Sequence, residues 1–164
     1  MPVLYRRFSR ICLVIAVLLL AQFLVGMVVN LYVSIPAAHP GANAADFFPG
    51  IGSAIAWAIS RGALALAAHV VLGLALIAMS LSHIITAASI GRRSWVVLST
   101  AGTLFLVGAA INGASFVNYG HDVSSLIMSG CFLLALFCYA ACGIRAAVAA
   151  ERLVQSQSFE PGGM

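Results

Sequence analysis

Charged residues are scarce in this sequence, and acidic residues are the scarcest of them. Only 7% of the 164 residues are charged, and the only acids are Asp46, Asp122, Glu151 and Glu160. The chain therefore offers no paired-carboxylate arrangement, and it contains no GxSxG, HExxH or Walker loop. These absences exclude hydrolytic and phosphoryl-transfer chemistry, and they leave a redox subunit as the only enzymatic interpretation.

Cysteine is also rare, and none of the four cysteines is predicted to lie in an exported loop. Cys12, Cys131, Cys138 and Cys142 fall within apolar runs, and the sequence has no CxxC. A disulfide framework or a thiol oxidoreductase would need exported or closely spaced cysteines. We therefore interpret these residues as small apolar packing side chains.

Apolar residues, by contrast, make up 63% of the chain and give a mean hydropathy of +1.10. Because a membrane-spanning helix needs about 20 apolar residues, the four long apolar runs account for most of the length. We predict an all-α fold, a four-helix transmembrane bundle that forms a single membrane domain over residues 1–154. The predicted spans are about 11–33, 62–90, 95–117 and 123–148. Residues 155–164 are polar and are predicted to form a disordered cytoplasmic tail.

The arginines predict the orientation of the bundle. Seven of the eight fall on one side of the predicted membrane, and only Arg61 falls on the other. Loops that face the cytoplasm are rich in Lys and Arg. We predict a multi-pass protein of the bacterial cytoplasmic membrane with both termini in the cytoplasm (N-in/C-in). The net charge of +4 reflects this placement and does not indicate nucleic-acid binding.

The first two spans are separated by the longest non-helical stretch, residues 37–50, which contain two prolines and two glycines. The 40 residues that follow, 51–90, are apolar, and as one helix they would be about 60 Å long, twice the hydrocarbon thickness. We therefore place a break at 60–62 and predict a short interfacial helix over 51–59 in the outer loop, anchored by Trp57. One unbroken helix projecting outward is the alternative.

Polar side chains from every span converge on the predicted outer end of the bundle. Asn30 and Asn112 lie near the outer ends of their spans, and His69 lies about 10 Å below the end of the second. An ionisable group at that depth favours a functional site, and a structural histidine whose hydrogen bonds are satisfied within the bundle is the alternative. His83, in contrast, is predicted to lie near the cytoplasmic interface, where water satisfies the imidazole. The outer loops add five more polar residues: His39, Asp46, Asn118, His121 and Asp122.

The first functional hypothesis is a small subunit of a membrane protein assembly that binds haem b and takes part in electron transfer. His69 would supply one axial ligand and His121 or His39 the other, because a neutral imidazole nitrogen binds iron well. The spacing of His69 and His83 resembles the histidine pairs of dihaem cytochrome b bundles, but the chain has no second pair. The predicted cofactor-binding residues are His69, His121, His39, Asn30, Asn112 and Asn118.

A transition metal ion is the alternative cofactor, since imidazole and carboxylate together suit zinc or copper. The predicted metal ligands are His69, His121, His39, Asp122 and Asp46. The alternative function is a stand-alone protein without catalytic activity that binds a metal, a quinone or a lipid head group. The expected partners are the lipid bilayer and either other membrane subunits or further copies of the chain.

Two segments carry a family resemblance, NLYVSIPAAHPG and NGASFVNYGHDVSSLIM. They resemble segments of uncharacterised small four-span integral membrane proteins of bacteria. The resemblance covers the membrane region and implies the four-span architecture, but it implies no activity and no residue role.

Overall fold

A bundle of long helices makes up the protein. The computed structural model describes residues 1–158, which contain five α-helices and no β-strand. The helices are α1 (Pro2–Tyr32), α2 (Phe47–Arg61), α3 (Leu64–Ile90), α4 (Arg93–Tyr119) and α5 (Asp122–Ser158). All except α2 are long and apolar enough to cross a membrane, which indicates a multi-pass membrane protein. The prediction of an all-helical chain with four spanning helices is confirmed.

Two helices extend well beyond the predicted spans. Helix α1 begins at Pro2, because a proline suits the first helical turn and no helix-breaking residue follows it until Pro36. Helix α5 continues to Ser158, so residues 155–158 of the predicted disordered tail are helical. Alanine, glutamate, arginine and leucine at 149–153 favour this continuation. The rest of the predicted tail, 159–164, lies outside the described residues.

The four long helices form a ring of neighbours. Helix α1 packs against α3 and α5, and α4 packs against the same two helices. The diagonal pairs meet through large side chains: Phe8 of α1 stacks on Trp95 of α4 at 4.9 Å, and the ring of His83 of α3 lies 5.8 Å from that of Tyr139 of α5. Tight turns join α3 to α4 and α4 to α5. Gly91 (φ 75°) and Gly120 (φ 66°) end the preceding helices in the left-handed conformation, which glycine adopts most readily. Both turns were predicted from the sequence.

Helix α2 is separate from α3, so a break is confirmed and one unbroken helix is wrong. The break lies at Gly62 and Ala63 rather than at 60–62, and α2 begins four residues before and ends two residues after the predicted 51–59, so the last four residues of the predicted non-helical stretch are helical. Gly62 permits the break, because a Cβ there would lie 2.4 Å from the carbonyl oxygen of Ala58. Helix α2 packs against α3 and α4 through the buried residues Gly50, Ala54 and Ala58. We call the end of the bundle that carries α2 and residues 33–46 the α2 end, and the opposite end the arginine end.

Buried side chains fill the bundle in two clusters, one at the arginine end and one in the middle. The part of the bundle nearest α2 is less tightly filled. The cluster at the arginine end consists of Tyr5, Phe8, Cys12, Ala87, Trp95, Cys142, Ala146 and Ala150. The middle cluster consists of Ile15, Leu19, Leu76, Leu106, Phe132, Ala135 and Tyr139. Around these clusters the outside of the bundle is apolar, with side chains such as Leu13, Leu104 and Phe137 largely exposed to the surrounding lipid.

Gly102 allows α4 to approach α5 in the middle of the bundle, and this close contact gives a test of the packing. An added Cβ would lie 2.8 Å from Cε2 of Tyr139, whose hydroxyl is hydrogen-bonded to Thr103. We expect Gly102→Ala to lower the free energy of unfolding by about 1–3 kcal/mol through overpacking, measured by thermal unfolding in detergent. Gly130→Ala is the control, because no atom other than those of its chain neighbours and its own helix backbone lies within 4 Å of its added Cβ. Equal stability of the two variants would contradict this packing.

Candidate functional site

A cavity of about 260 Å³ lies between the four spanning helices at the α2 end. An apolar cavity of about 150 Å³ is enough to hold benzene, so this one has room for a single ring with substituents. Ala54 and Ala58 of α2 form part of its wall, and Leu19, Leu106 and Phe132 of the middle cluster border it. The polar residues that line it are Gln22, Asn30, His69, Ser125 and Ser129.

Gln22 and His69 form a hydrogen-bonded pair across α1 and α3 in this cavity. The side-chain amide nitrogen of Gln22 donates to the carbonyl oxygen of His69 at 3.0 Å and lies 3.3 Å from Nε2 of the same residue. Because an amide NH₂ has two hydrogens and no acceptor, Nε2 accepts the second hydrogen. The proton of the neutral imidazole therefore resides on Nδ1.

Gly26 makes room for this pair. A Cβ at Gly26 would lie 2.8 Å from Cε1 of His69, so any larger residue would displace the imidazole. The glycine is thus a steric requirement of the site, one helical turn from Gln22 on α1.

One hydrogen-bond acceptor and one donor of the pair are buried without a partner. They are Oε1 of Gln22 and Nδ1 of His69. An unsatisfied buried polar atom costs about 1–3 kcal/mol, and less of that cost remains when a bound molecule supplies the missing partner. A hydroxyl group can donate to Oε1 or accept from Nδ1, so either unpartnered atom is suited to a hydroxyl-bearing ligand.

A second, more open space adjoins the cavity at the α2 end, between α1 and α5. It has a volume of about 340 Å³, and we call it the vestibule. Its lining residues are Asn30, Phe116, Asp122, Ser125, Leu126 and Ser129. Four of these six also line the cavity, so the two spaces are neighbours.

The structure places the predicted cofactor-binding residues in different surroundings. His69 and Asn30 line the cavity. The amide of Asn112 donates to the carbonyl oxygen of Gly108 in its own helix at 2.9 Å. Asn118 is 3% exposed next to Gly50 of α2, and neither of its side-chain polar atoms has a hydrogen-bond partner.

His39 holds the loop between α1 and α2 against α4. Its ring stacks on Trp57 at 4.4 Å, Nδ1 lies 3.0 Å from the carbonyl oxygen of Pro40, and Nε2 lies 3.1 Å from that of Val117. Two further hydrogen bonds join the same elements, from Asn43 N–H to Asn118 O and from the Tyr119 hydroxyl to Ala44 O. Each imidazole nitrogen thus faces a backbone carbonyl oxygen, and the single N–H of a neutral ring donates to one of them.

The five predicted metal ligands do not come together. Within residues 1–158 no group of three or more His, Cys, Asp or Glu side chains is placed to hold a metal ion. His69 lies in the cavity and His39 in the loop, while the exposed His121 stacks on Tyr119 at 6.1 Å. Asp46 and Asp122 are exposed beside the N-terminal ends of α2 and α5. Separate elements carry these side chains, and their packing keeps them apart.

The prediction that water surrounds the imidazole of His83 is wrong, because this residue is only 1% exposed. Its Nε2 lies 3.2 Å from Sγ of Cys12, its Nδ1 lies 3.1 Å from Oγ of Ser99, and its ring stacks on Phe8 at 4.3 Å. Cys142 lies next to Ser99, with 3.9 Å between Sγ and Oγ. A polar network of α1, α3, α4 and α5 is therefore enclosed at the arginine end.

The spacing of polar and small residues on α3 and α5 is a sequence signal for this network. The high hydropathy of the surrounding residues makes that signal hard to recognise. Ser80, His83 and Ala87 lie three or four residues apart and so share one face of α3, and all three are buried. Cys138 and Cys142 have the same relation on α5 and are buried too. Only the packing of the helices reveals that these two faces meet.

No protein-family model matches the chain, and no curated protein and no solved structure is similar to it. Function is therefore inferred from the residues of the site alone.

The network around His83 gives a testable coupling between α3 and α4. We expect Ser99→Ala to lower the free energy of unfolding by about 1 kcal/mol, because it leaves Nδ1 of His83 without its partner. In a His83→Phe background the same change should cost less, by about 0.5 kcal/mol or more, in a double-mutant cycle of unfolding in detergent. Ser82→Ala, at an exposed serine bonded within its own helix, is the neutral control. Additive effects would show that the two side chains do not interact.

Proposed function

We propose that the protein binds a lipophilic small molecule in the cavity, within the membrane, through a hydroxyl group on a single ring. The observation that supports this most directly is the buried pair of unpartnered atoms, Oε1 of Gln22 and Nδ1 of His69, on two residues that line an apolar cavity. Phenols and hydroquinones are the chemical class that combines such a ring with such a group. This is a form of the quinone-binding alternative predicted from the sequence.

The residues that line the cavity favour a neutral ring as the ligand rather than a lipid head group. No Lys or Arg is among the residues lining the cavity or the vestibule, so an anionic phosphate would have no cationic partner there. Phe23, Met27, Met128 and Phe132 instead offer apolar and polarisable surfaces to a ring. A quinone carbonyl can only accept a hydrogen bond, so it would leave Oε1 of Gln22 unsatisfied. The reduced, hydroxyl-bearing form is therefore the better fit.

Haem binding and membership of a larger membrane assembly stay predictions. A porphyrin contains four pyrrole rings and needs several times the volume of benzene, while the cavity holds about one substituted ring. His69 is the only histidine that lines the cavity. The haem hypothesis is tested by absorption spectra of the purified protein before and after dithionite reduction, and the assembly hypothesis by copurification in mild detergent.

We also propose that the arginine end faces the cytoplasm of a bacterial cell and that α2 lies at the outer interface. Seven of the eight arginines belong to the arginine end or to the helix segments and turn next to it, and Arg61 alone belongs to the α2 end. Trp57 and Arg61 of α2 are residue types that favour the interface. A C-terminal reporter that is active only in the cytoplasm tests this orientation.

The proposed function predicts a preference among matched ligands. A lipophilic alkylphenol should bind about 5-fold or more tightly than its methyl ether, because the ether cannot donate to Oε1 of Gln22. Gln22→Leu should remove that preference, and Gly26→Leu should abolish binding of both compounds because its side chain would occupy the place of the His69 ring. Ligand-induced thermal stabilisation in detergent and equilibrium dialysis measure these effects.

Thr86→Val is the matched control, since it makes a comparable polar-to-apolar change at a half-buried position of α3 that does not line the cavity. It should bind both compounds as the unmodified protein does. Equal binding of phenol and ether by the unmodified protein, or no binding of either, would contradict the proposed function.

A further inference from the structure

We propose that the natural ligand also carries a positively charged group, which Asp122 binds at the mouth of the site. This inference rests on the proposed function, because the hydroxyl-bearing ring occupies the cavity and the cationic group occupies the vestibule. The ligand class is thus a lipophilic amine with a phenolic ring.

The site has polar side chains at two levels and an apolar section between them. Asn30 follows Gln22 by eight residues on α1, which places it about 12 Å further along the helix. Phe23 and Met27 line the cavity between these two residues. A molecule that satisfies both levels therefore needs polar groups at both ends and an apolar body of about this length.

The charge of the vestibule determines which chemical group of the ligand can bind there. Asp122 is the one ionisable residue among its lining side chains. Asn30, Ser125 and Ser129 add neutral oxygens, which accept hydrogen bonds from an ammonium group. A carboxylate or phosphate in the same place would meet the negative charge of Asp122 with no cation to offset it.

The position of the vestibule gives such a ligand a route from the membrane. Leu126 of α5 lines the vestibule and Leu31 follows the lining residue Asn30 on α1, and these two leucine side chains are 73% and 62% exposed on the apolar outside of the bundle. An amphiphile dissolves in the bilayer with its charged group at the interface and its apolar part among the lipid chains. It can therefore reach the gap between α1 and α5 sideways, already in the orientation in which the site holds it.

Asp122 also begins α5, where a negative charge favours the helix N-terminus. Asp122→Asn keeps the size of the side chain but removes the charge both from the vestibule and from the helix N-terminus, so the test needs a control that loses a charge beside a helix N-terminus without touching the site. Asp46→Asn is the matched control. It removes the same charge from the same end of the bundle, at an exposed residue that lines neither space.

Three probes with an identical phenol ring and alkyl chain, ending in an ammonium, a hydroxyl or a carboxylate group, are compared by equilibrium dialysis against the full-length protein in nonionic detergent. The ammonium probe should bind about 5-fold more tightly than the alcohol, and the carboxylate probe should bind most weakly. Asp122→Asn should bring the three affinities together, while Asp46→Asn should preserve their order. Added salt should reduce the preference of the unmodified protein.

The outcomes distinguish this inference from the proposed function. If the alcohol binds and the ammonium probe binds no more tightly, the cationic group is wrong and the proposed function stands. A preference that both aspartate variants reduce equally also overturns the inference, because general attraction to the protein would then explain it. If no probe binds, both proposals fail.

Discussion

In lipid, a polar group inside a helical bundle has to find its hydrogen-bond partner within the protein, because the surrounding chains offer none. The two halves of this bundle meet that requirement differently. At the arginine end the imidazole of His83 has Cys12 on one side and Ser99 on the other, and the neighbouring Thr103 bonds to Tyr139. At the α2 end the imidazole of His69 has a partner for one nitrogen only. At the arginine end the polar side chains are hydrogen-bonded to one another, whereas at the α2 end a donor and an acceptor lack partners, and the proposed function rests on this difference.

Side-chain volume accounts for the position of the cavity. The middle of the bundle is filled by residues such as Leu19, Leu76 and Phe132. Nearer α2, helix α4 presents small residues to the interior, and α1 and α3 each contribute a glycine. These small residues are Gly26, Gly73, Ala109, Ala110, Gly113 and Ala114. Because these small residues leave part of the interior unfilled, the helices enclose space there rather than a packed core.

Hydropathy and helix-breaking residues were sufficient to predict the spanning helices, both tight turns and the break before α3. The depth of His69 on α3 made this residue a candidate from the sequence, since an ionisable side chain is exceptional inside a membrane, and the structure places it in the wall of the cavity. The surroundings of the other histidines could not be predicted. Whether a helical residue faces lipid, a loop or another helix depends on rotation about the helix axis and on loop packing, and long apolar helices carry little periodic signal for either. Helix rotation buries His83, and loop packing places the ring nitrogens of His39 next to backbone carbonyl groups, and neither could be read from the sequence.

The unequal lengths of the helices also determine the position of the protein along the membrane normal. Helices α1 and α5 contain 31 and 37 residues, about 46 and 55 Å, whereas the hydrocarbon layer is about 30 Å thick. Their excess turns include Arg6, Arg7 and Arg10 on α1 and Arg145 and Arg152 on α5. Moving the protein along the membrane normal would transfer these guanidinium groups into the hydrocarbon layer. The cost would be about 2.5–3.5 kcal/mol for each group that reached the centre of the bilayer. The arginine end thus acts as an anchor that keeps the distant opening between α1 and α5 at a constant height in the bilayer.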